Sequence, residues 1–240
     1  MKRKQQDRNW HPIELSILKH IGLYGLTYAD CLFAAGTRGV KTAEQATQRL
    51  NALRKRGDLV SHHANRVTYY TLCESARRKL AEMKLDLLGA ATHPRVLLHR
   101  FAILQLCSRV RPVKRLLTKS DLSRIGLSNL ANGNPTNYYL TAYANTRTLG
   151  FVCVDRCERG SWDRLVRKTN QVVSRHINNP IIATLIRKHQ FEIAVVTALP
   201  EKAERVAKRL TSQQQPLPVP VRVVPIPNLL QFVQPLPDPR

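Results

Sequence analysis

The segment at residues 42–56 limits the fold most, because both of its ends are marked in the sequence. Thr42 is a residue type that caps helix N-termini, and Gly57 is the type that ends helices in a left-handed conformation. A polar stretch at residues 61–66 then leads into a β-branched and aromatic run at residues 67–72. This order predicts a helix followed at once by a β-hairpin, with the polar stretch as its tip.

Shorter helices are predicted on both sides of this pair. Pro12 suits the first turn of a helix, where its missing N–H costs nothing. A second helix is predicted at residues 27–33 with Thr27 as its cap, and a fourth at residues 74–83. Three helices followed by a two-stranded hairpin is the order of a winged helix-turn-helix, whose third helix enters the major groove of DNA. We therefore predict a winged-helix DNA-binding domain at residues 1–85.

The third predicted helix has two faces when its residues are placed at about 100° intervals. The face predicted to join the core carries Ala43, Ala46, Leu50 and Leu53. The face predicted to contact DNA carries Lys41, Thr42, Gln45, Gln48, Arg49, Ala52 and Lys55. Glutamine and arginine can hydrogen-bond adenine and guanine edges, and lysine suits phosphates.

The predicted hairpin tip adds four more candidate DNA contacts, namely His62, His63, Asn65 and Arg66. We expect them to reach a neighbouring phosphate backbone or the minor groove. Two other interpretations remain open. A polar outer face is ordinary for a surface helix, and a winged helix can bind protein instead of DNA.

The charge of the chain favours a polyanionic partner. Lys and Arg number 39 against 16 Asp and Glu, which gives a formal net charge of +23. Phosphates reward such an excess by releasing condensed counterions, so we expect double-stranded DNA rather than a lipid surface. No apolar run is long enough to span a membrane, and the five cysteines form no dense pattern, as is typical of a reducing compartment. We expect a bacterial cytoplasmic protein associated with the nucleoid or a plasmid, with its oligomeric state open.

The second half alternates strand and helix patterns. The predicted strands lie at residues 138–144, 151–155, 193–198 and 221–224, with a turn at 145–150 and helices beginning at Ser161, Ile181 and Glu201. This pattern predicts a small mixed α/β domain at residues 135–230, reached through a helical connector at 86–134 and followed by a proline-rich tail at 231–240. The predicted fold class of the whole chain is α+β.

The helix after Ser161 carries basic residues on one side. Arg164, Lys168 and Arg175 lie opposite Leu165 and Val172 at helical spacing. They form either a second surface that follows DNA phosphates or an ordinary solvated face, and both interpretations remain open.

Three short segments, in this order of parts, resemble the replication-relaxation family of plasmids and integrative or mobilizable elements. The segments are Asn134-Pro135-Thr136-Asn137, FVCVDR at residues 151–156 and FEIAVVTALPEKAERVAKRL at residues 191–210. The resemblance implies a winged helix followed by a domain similar to the restriction-endonuclease fold. It also implies an accessory role in conjugative DNA processing at the relaxosome, or in replication at an origin, beside a relaxase or replication factors. Regulation of transcription is the alternative.

The sequence departs from that family's nuclease pattern at the acidic positions. Two carboxylates are needed to hold Mg²⁺ beside a scissile phosphate. Thr136 follows Pro135 where an acidic residue is expected, and Cys153 replaces the strand glutamate. Only Asp155, and more weakly Glu158, remain as catalytic candidates. We therefore predict a non-catalytic relative without a cofactor or bound metal, with a metal-dependent relaxase or nuclease as the alternative.

Two other sets of residues could suggest chemistry but are better explained structurally. The pair His62-His63 near Tyr69-Tyr70 is reminiscent of rolling-circle nucleases, yet adjacent strand residues point to opposite faces. Cys153 and Cys157, with His176 as the nearest histidine, fall short of the four ligands that a zinc site needs.

Overall fold

The computed structural model describes residues 9–89, 93–131, 135–143, 146–155, 162–213 and 216–232. The helices over these residues are α1 (Pro12–Tyr24), α2 (Ala29–Ala34), α3 (Ala43–Arg56), α4 (Glu74–Glu82), α5 (Pro94–Ser108), α6 (Lys119–Arg124), α7 (Ser128–Ala131), α8 (Trp162–Ile177), α9 (Pro180–Arg187) and α10 (Pro200–Thr211). The strands are β1 (Leu59–Ala64), β2 (Val67–Leu72), β3 (Lys114–Leu116), β4 (Tyr138–Tyr143), β5 (Thr146–Val154), β6 (Phe191–Thr197) and β7 (Val221–Pro225). The protein is thus a mixed α+β structure, as predicted.

The N-terminal unit, which comprises α1 to α4 with β1 and β2, closely follows the predicted order. Within it, α1 begins at Pro12 and ends where Gly25 adopts a φ of 77°. The prediction that Thr27 caps α2 is wrong, because Thr27 forms a β-bridge with Tyr70. Its backbone N–H donates to the Tyr70 carbonyl at 2.9 Å, and α2 starts only at Ala29.

The hairpin is longer than predicted. Strands β1 and β2 are antiparallel, and their last pair is Ala64 with Val67. Only two residues therefore form the turn, and Asn65 has a φ of 49°, a conformation that asparagine tolerates. The polar stretch at residues 61–64 belongs to β1, so the prediction of a six-residue polar tip is wrong. The register pairs His62 with Tyr69 across the hairpin.

The core of this unit collects apolar side chains from α1, α2, α3, α4 and the hairpin. Its buried members are Ile17, Leu18, Ile21, Leu32, Val40, Ala46, Leu50, Leu53, Leu59, Tyr70, Leu72, Ala76 and Leu80. Helix α3 and both strands of the hairpin therefore contribute to one apolar core. Because one face of α3 is buried in this core, its opposite face points outward.

The second sheet has five strands in the order β3-β4-β5-β6-β7. The first three pair antiparallel, whereas β5, β6 and β7 are parallel. Two sequence predictions are corrected here. Strand β3 lies within residues 86–134, expected as a helical connector, and residues 146–150, expected as a turn, form the first half of β5. Their pairing with β4, from Thr146 opposite Tyr143 to Gly150 opposite Tyr139, extends the strand.

Alternate residues of this sheet face two different cores. On β5 and β6, Val154 and Val196 belong to the core that contains α5. Their neighbours Cys153 and Val195 belong to the core that contains α8, α9 and α10. Because successive side chains of a strand point to opposite faces, these helices lie on opposite faces of the sheet from α5.

Helix α5 joins the N-terminal unit to the sheet. Residues 101–108 are buried without interruption. Phe101 stacks on Tyr28 of the N-terminal unit, with ring centroids 5.3 Å apart, and lies 3.9 Å from the ring of Phe232 near the C-terminus. One continuous core thus runs from the N-terminal unit through α5 into the sheet. Of the predicted tail at 231–240, residues 233–240 lie outside the described part of the chain.

The left-handed end of α3 gives a first prediction. Gly57 has a φ of 88°, and nothing lies within 4 Å of a Cβ placed there, so a side chain would add backbone strain alone. We expect Gly57→Ala to lower the free energy of unfolding by about 1–2 kcal/mol in urea titrations. Gly89→Ala is the matched control, because Gly89 also has open space around it and no positive φ. Equal losses in both variants would contradict the strain at Gly57.

Candidate nucleic-acid interface

Helix α3 starts and ends where local chemistry dictates. The Thr42 hydroxyl accepts a hydrogen bond from the Gln45 backbone N–H at 3.1 Å, as expected of a helix cap. Ala46, Leu50 and Leu53 are buried in the core, as predicted, whereas Ala43 is only half-buried. The opposite face of the helix is thereby directed to solvent.

Arg56 ties the last turn of α3 to the rest of the N-terminal unit. Its Nη1 lies 2.7 Å from Glu14 Oε1 on α1, and its Nε pairs with Asp58 Oδ2. Trp10 Nε1 donates to the other Asp58 oxygen at 3.2 Å. Burial alone would raise the pKa of Glu14, but the hydrogen bond and charge of Arg56 bring that pKa below its usual value. Arg56 is therefore a positioning residue for α3.

The outward face of α3 carries the predicted DNA contacts. The exposed members are Lys41, Thr42, Gln45, Gln48, Ala52 and Lys55, and Arg49 is half-buried. The side-chain carbonyl of Gln45 accepts a 3.0 Å hydrogen bond from the Lys41 backbone N–H, which leaves its amide hydrogens for other partners. Gln48 forms no hydrogen bond through its side chain with the described residues, so both its donor and its acceptor face outward.

One acidic residue on α3 works against phosphate contact at the first turn. Glu44 is fully exposed, and hydrogen bonds from its own backbone and from Thr42 lower the pKa of its carboxyl group. It therefore stays ionised at neutral pH. Its negative charge disfavours phosphate near the first turn of α3, whereas the last turn of the helix carries Lys55 and no acidic residue.

The hairpin offers fewer free groups than the sequence suggested. His62 stacks on Tyr69 at 5.0 Å and hydrogen-bonds Thr71 Oγ1 at 2.9 Å. Burial lowers the pKa of His62, so the ring is neutral at pH 7. Asn65 Nδ2 donates to the Gln231 carbonyl at 2.5 Å, which docks the turn on the C-terminal segment. His63, bound to the Thr68 hydroxyl, and Arg66 are the exposed candidates that the C-terminal segment does not hold, since Asn65 is exposed but bonded to Gln231.

The three predicted DNA contacts on α8 differ in what they contact in the structure. Arg164 and Arg175 are exposed on the outer side of the helix. Lys168 differs, because its Nζ donates to the Val154 carbonyl at 3.0 Å. The charge of Lys168 is thus directed to the end of β5.

Asp155 follows β5 and is buried at an ion pair. Its Oδ2 lies 2.7 Å from Lys202 Nζ and accepts a hydrogen bond from the Thr197 hydroxyl at 3.1 Å. Sequence reasoning missed both partners, since no spacing relates them to Asp155. They meet because β5 and β6 are parallel and end at the same edge of the sheet, where α10 also begins.

This arrangement does not assemble a metal site from the residues that the structure describes. The lysine neutralises the Asp155 carboxylate, whereas Mg²⁺ prefers several oxygen ligands. No group of three or more His, Cys, Asp or Glu side chains suited to a metal occurs within the described ranges. Glu158, the second acidic candidate, and Cys157 lie outside these ranges.

His176 is part of the core between α8 and the sheet. Its Nδ1 lies 2.7 Å from the Val172 carbonyl, and its Nε2 lies 2.9 Å from the Tyr138 hydroxyl. Because a carbonyl only accepts, Nδ1 carries the proton and Nε2 accepts from Tyr138. The rings of Phe151 and Phe191 also pack against His176, with centroids 4.6 and 5.2 Å from that of the imidazole. Both ring nitrogens are thus used within the core.

Comparisons of the chain with models of known protein families, with curated proteins and with solved structures returned no significant match. The replication-relaxation resemblance therefore stays a prediction from three short segments. Over the described residues, no helix is long and apolar enough to cross a membrane.

The buried histidine predicts a pH dependence of stability. Burial lowers the pKa of His176, and this outweighs the Val172 carbonyl, which raises it. As the pH falls below about 6.5, the unfolded chain takes up a proton that the folded state refuses, so the free energy of unfolding decreases. We expect urea-measured stability to decline less between about pH 7 and pH 5 in His176→Gln than in the wild type, although His20 and His62, whose pKa values are also lowered by burial, keep part of the decline. Parallel pH curves for the two proteins would contradict this assignment.

The Asp155 ion pair predicts the outcome of a nuclease assay. We expect the purified protein to leave supercoiled plasmid intact with Mg²⁺ or Mn²⁺, because one lysine-paired carboxylate is a poor metal site. Agarose gels would separate nicked from supercoiled DNA. Nicking by the wild type that disappears in Asp155→Ala would show that the edge of the sheet is catalytic.

Proposed function

We propose that this protein binds double-stranded DNA and that its N-terminal unit acts as a winged helix. The support is the order of α1, α2, α3 and the β1–β2 hairpin around one core. In a winged helix the third helix lies in the major groove and the hairpin flanks it. The formal net charge of +23 supplies the attraction to phosphates.

The exposed face of α3 is the single observation that carries this proposal. It places an unengaged glutamine, Gln48, next to Arg49 at the middle of the helix. Lys41 precedes the helix and Lys55 lies in its last turn, so positive charges flank the two polar readers. The buried face of the same helix is fully occupied, which leaves this face for a partner.

In the proposed complex, the side chains of α3 divide into two roles. Gln48 pairs with an adenine edge and Arg49 with a guanine edge, while Gln45 donates through its amide nitrogen. Lys41 and Lys55 bind phosphates on the two sides of the groove. The hairpin contributes His63 and Arg66 to the flanking backbone, because Asn65 and His62 are held by the protein itself.

We place this activity in the bacterial cytoplasm, on a plasmid or integrative element. The support is the resemblance of FVCVDR and the neighbouring segments to replication-relaxation proteins, together with the mixed sheet at the predicted position. The role is that of an accessory factor in conjugative DNA processing or in replication at an origin. The C-terminal part corresponds to a restriction-endonuclease-like domain without a complete catalytic site.

The double variant Gln48→Ala with Arg49→Ala tests this function. Duplexes selected from a random library by the wild type provide the specific target. Each good base contact is worth about 1–3 kcal/mol, so we expect affinity for the selected duplex to fall by at least tenfold. Affinity for random duplex, measured by fluorescence anisotropy, should fall less.

Arg124→Ala is the matched control, since Arg124 is exposed on α6, outside the N-terminal unit. It should bind both duplexes as the wild type does. If the wild type binds no duplex, or if the double variant loses affinity equally on every duplex, base readout by α3 is refuted.

A further inference from the structure

We propose that the protein has a second DNA-binding surface, formed by α8 and α10, and that one molecule thereby bridges two duplexes. The α8–α10 surface comprises Arg167, Arg175, Arg205, Lys208 and Arg209. This inference rests on the proposed binding of a first duplex by α3. It assigns a separate duplex to the second phosphate-binding surface that the sequence leaves open on α8.

The two helices form one layer on one face of the sheet. Leu165 and Val173 of α8 and Val206 and Leu210 of α10 enter the same core against β5 and β6. Just after α10, Gln213 Nε2 donates to Asn170 Oδ1 on α8 at 3.4 Å. The outer sides of α8 and α10 therefore lie next to each other.

Positive charges outnumber negative ones on this outer layer. All five residues of the α8–α10 surface are exposed. Asp163 and Glu201 lie in the first turns of α8 and α10, Glu204 lies in the second turn of α10, and the later turns carry no acidic residue. Within the described part of the chain, none of the five basic side chains forms a salt bridge. Like charges placed close together repel, so this surface gains from a polyanion that neutralises it.

The second surface lies on the opposite face of the sheet from the first. The N-terminal unit joins α5 on one face through Tyr24, Tyr28 and Tyr69. Helices α8 and α10 cover the other face. The sheet and a helix layer, each about 10 Å thick, therefore separate the α8–α10 surface from the N-terminal unit.

DNA stiffness favours two duplexes over one. The persistence length of a duplex is about 150 base pairs, and bending a short site by 40–90° costs on the order of 1–6 kcal/mol. A single segment that touched both faces would have to bend around the intervening layers. Two separate segments reach both surfaces without that cost, because the continuous core holds the surfaces in a fixed relation.

A bridging assay tests the proposal with full-length protein. A selected duplex is attached to beads, protein is added, and capture of a second, fluorescent duplex of the same sequence is measured. The test variant carries Arg167→Gln, Arg175→Gln, Arg205→Gln, Lys208→Gln and Arg209→Gln. We expect its capture of the second duplex to fall at least tenfold, while its affinity for a single short selected duplex changes less than about threefold.

A second variant controls for the loss of net charge. It replaces five exposed basic residues away from α8 and α10, namely Lys19, Arg111, Lys119, Arg124 and Arg147, with glutamine. It should bridge as the wild type does. Light scattering at the assay concentration reports the oligomeric state, because a dimer could bridge through two copies of α3.

The outcomes separate this inference from the proposed function. A wild type that binds no duplex refutes the proposed function itself. A wild type that binds one duplex but captures no second one refutes the inference alone. The inference alone is also refuted if the α8–α10 variant bridges normally. It is refuted as well if the α8–α10 surface captures polyglutamate or single-stranded RNA but no duplex.

Discussion

Phe101 packs against Tyr28 and Phe232, and this contact joins the N-terminal unit, α5 and the C-terminal segment. The three rings come from α5, the N-terminal unit and the C-terminal segment. The ring centroid of Phe101 lies 5.3 Å from that of Tyr28 and 3.9 Å from that of Phe232. Burying such a side chain contributes about 1.5–3 kcal/mol. Because of this contact, parts that are predicted separately from the sequence share one core. The orientation of α3 is therefore set by the sheet as well as by the other helices of the N-terminal unit.

Polar contacts at the same junction support this arrangement. Gln105 Nε2 donates to the Tyr28 hydroxyl at 2.5 Å, and Arg109 Nη1 lies 3.4 Å from the same oxygen. Buried polar groups are costly unless they are bonded, so these contacts favour one specific fit between the parts. Burial also raises the pKa of Cys31 to about 11 and that of Cys107 to about 12, which keeps both thiols protonated and inert. The junction therefore combines polar contacts with apolar packing.

Polar and charged side chains are engaged differently at Asp155 and on α3. At the edge of the sheet, the Asp155 carboxylate pairs with Lys202 and accepts a hydrogen bond from Thr197. This ion pair holds α10 beside β5. On the outward face of α3, by contrast, Gln48 forms no side-chain hydrogen bond with the described residues, and Gln45 uses only its side-chain carbonyl. Groups already paired within a protein have little left for a ligand, whereas unengaged groups gain by binding one. The contrast supports a binding role for α3 and a structural role for Asp155.

Sequence patterns are enough to predict the bounds of α3, its cap at Thr42, its left-handed end at Gly57 and its two faces, and composition gives the excess of positive charge. These features depend on neighbours within a turn or two, so local physics is enough to predict them. Contacts between segments far apart in the chain could be read only from the folded structure. Thr27 pairs with Tyr70 instead of capping a helix, residues 146–150 extend β5 because β4 lies beside them, and Asp155 meets Lys202 through the parallel strands. The same cause placed α8 and α3 on different sides of the sheet, because strand order and the alternation of side chains between two cores are set by contacts that no local pattern contains.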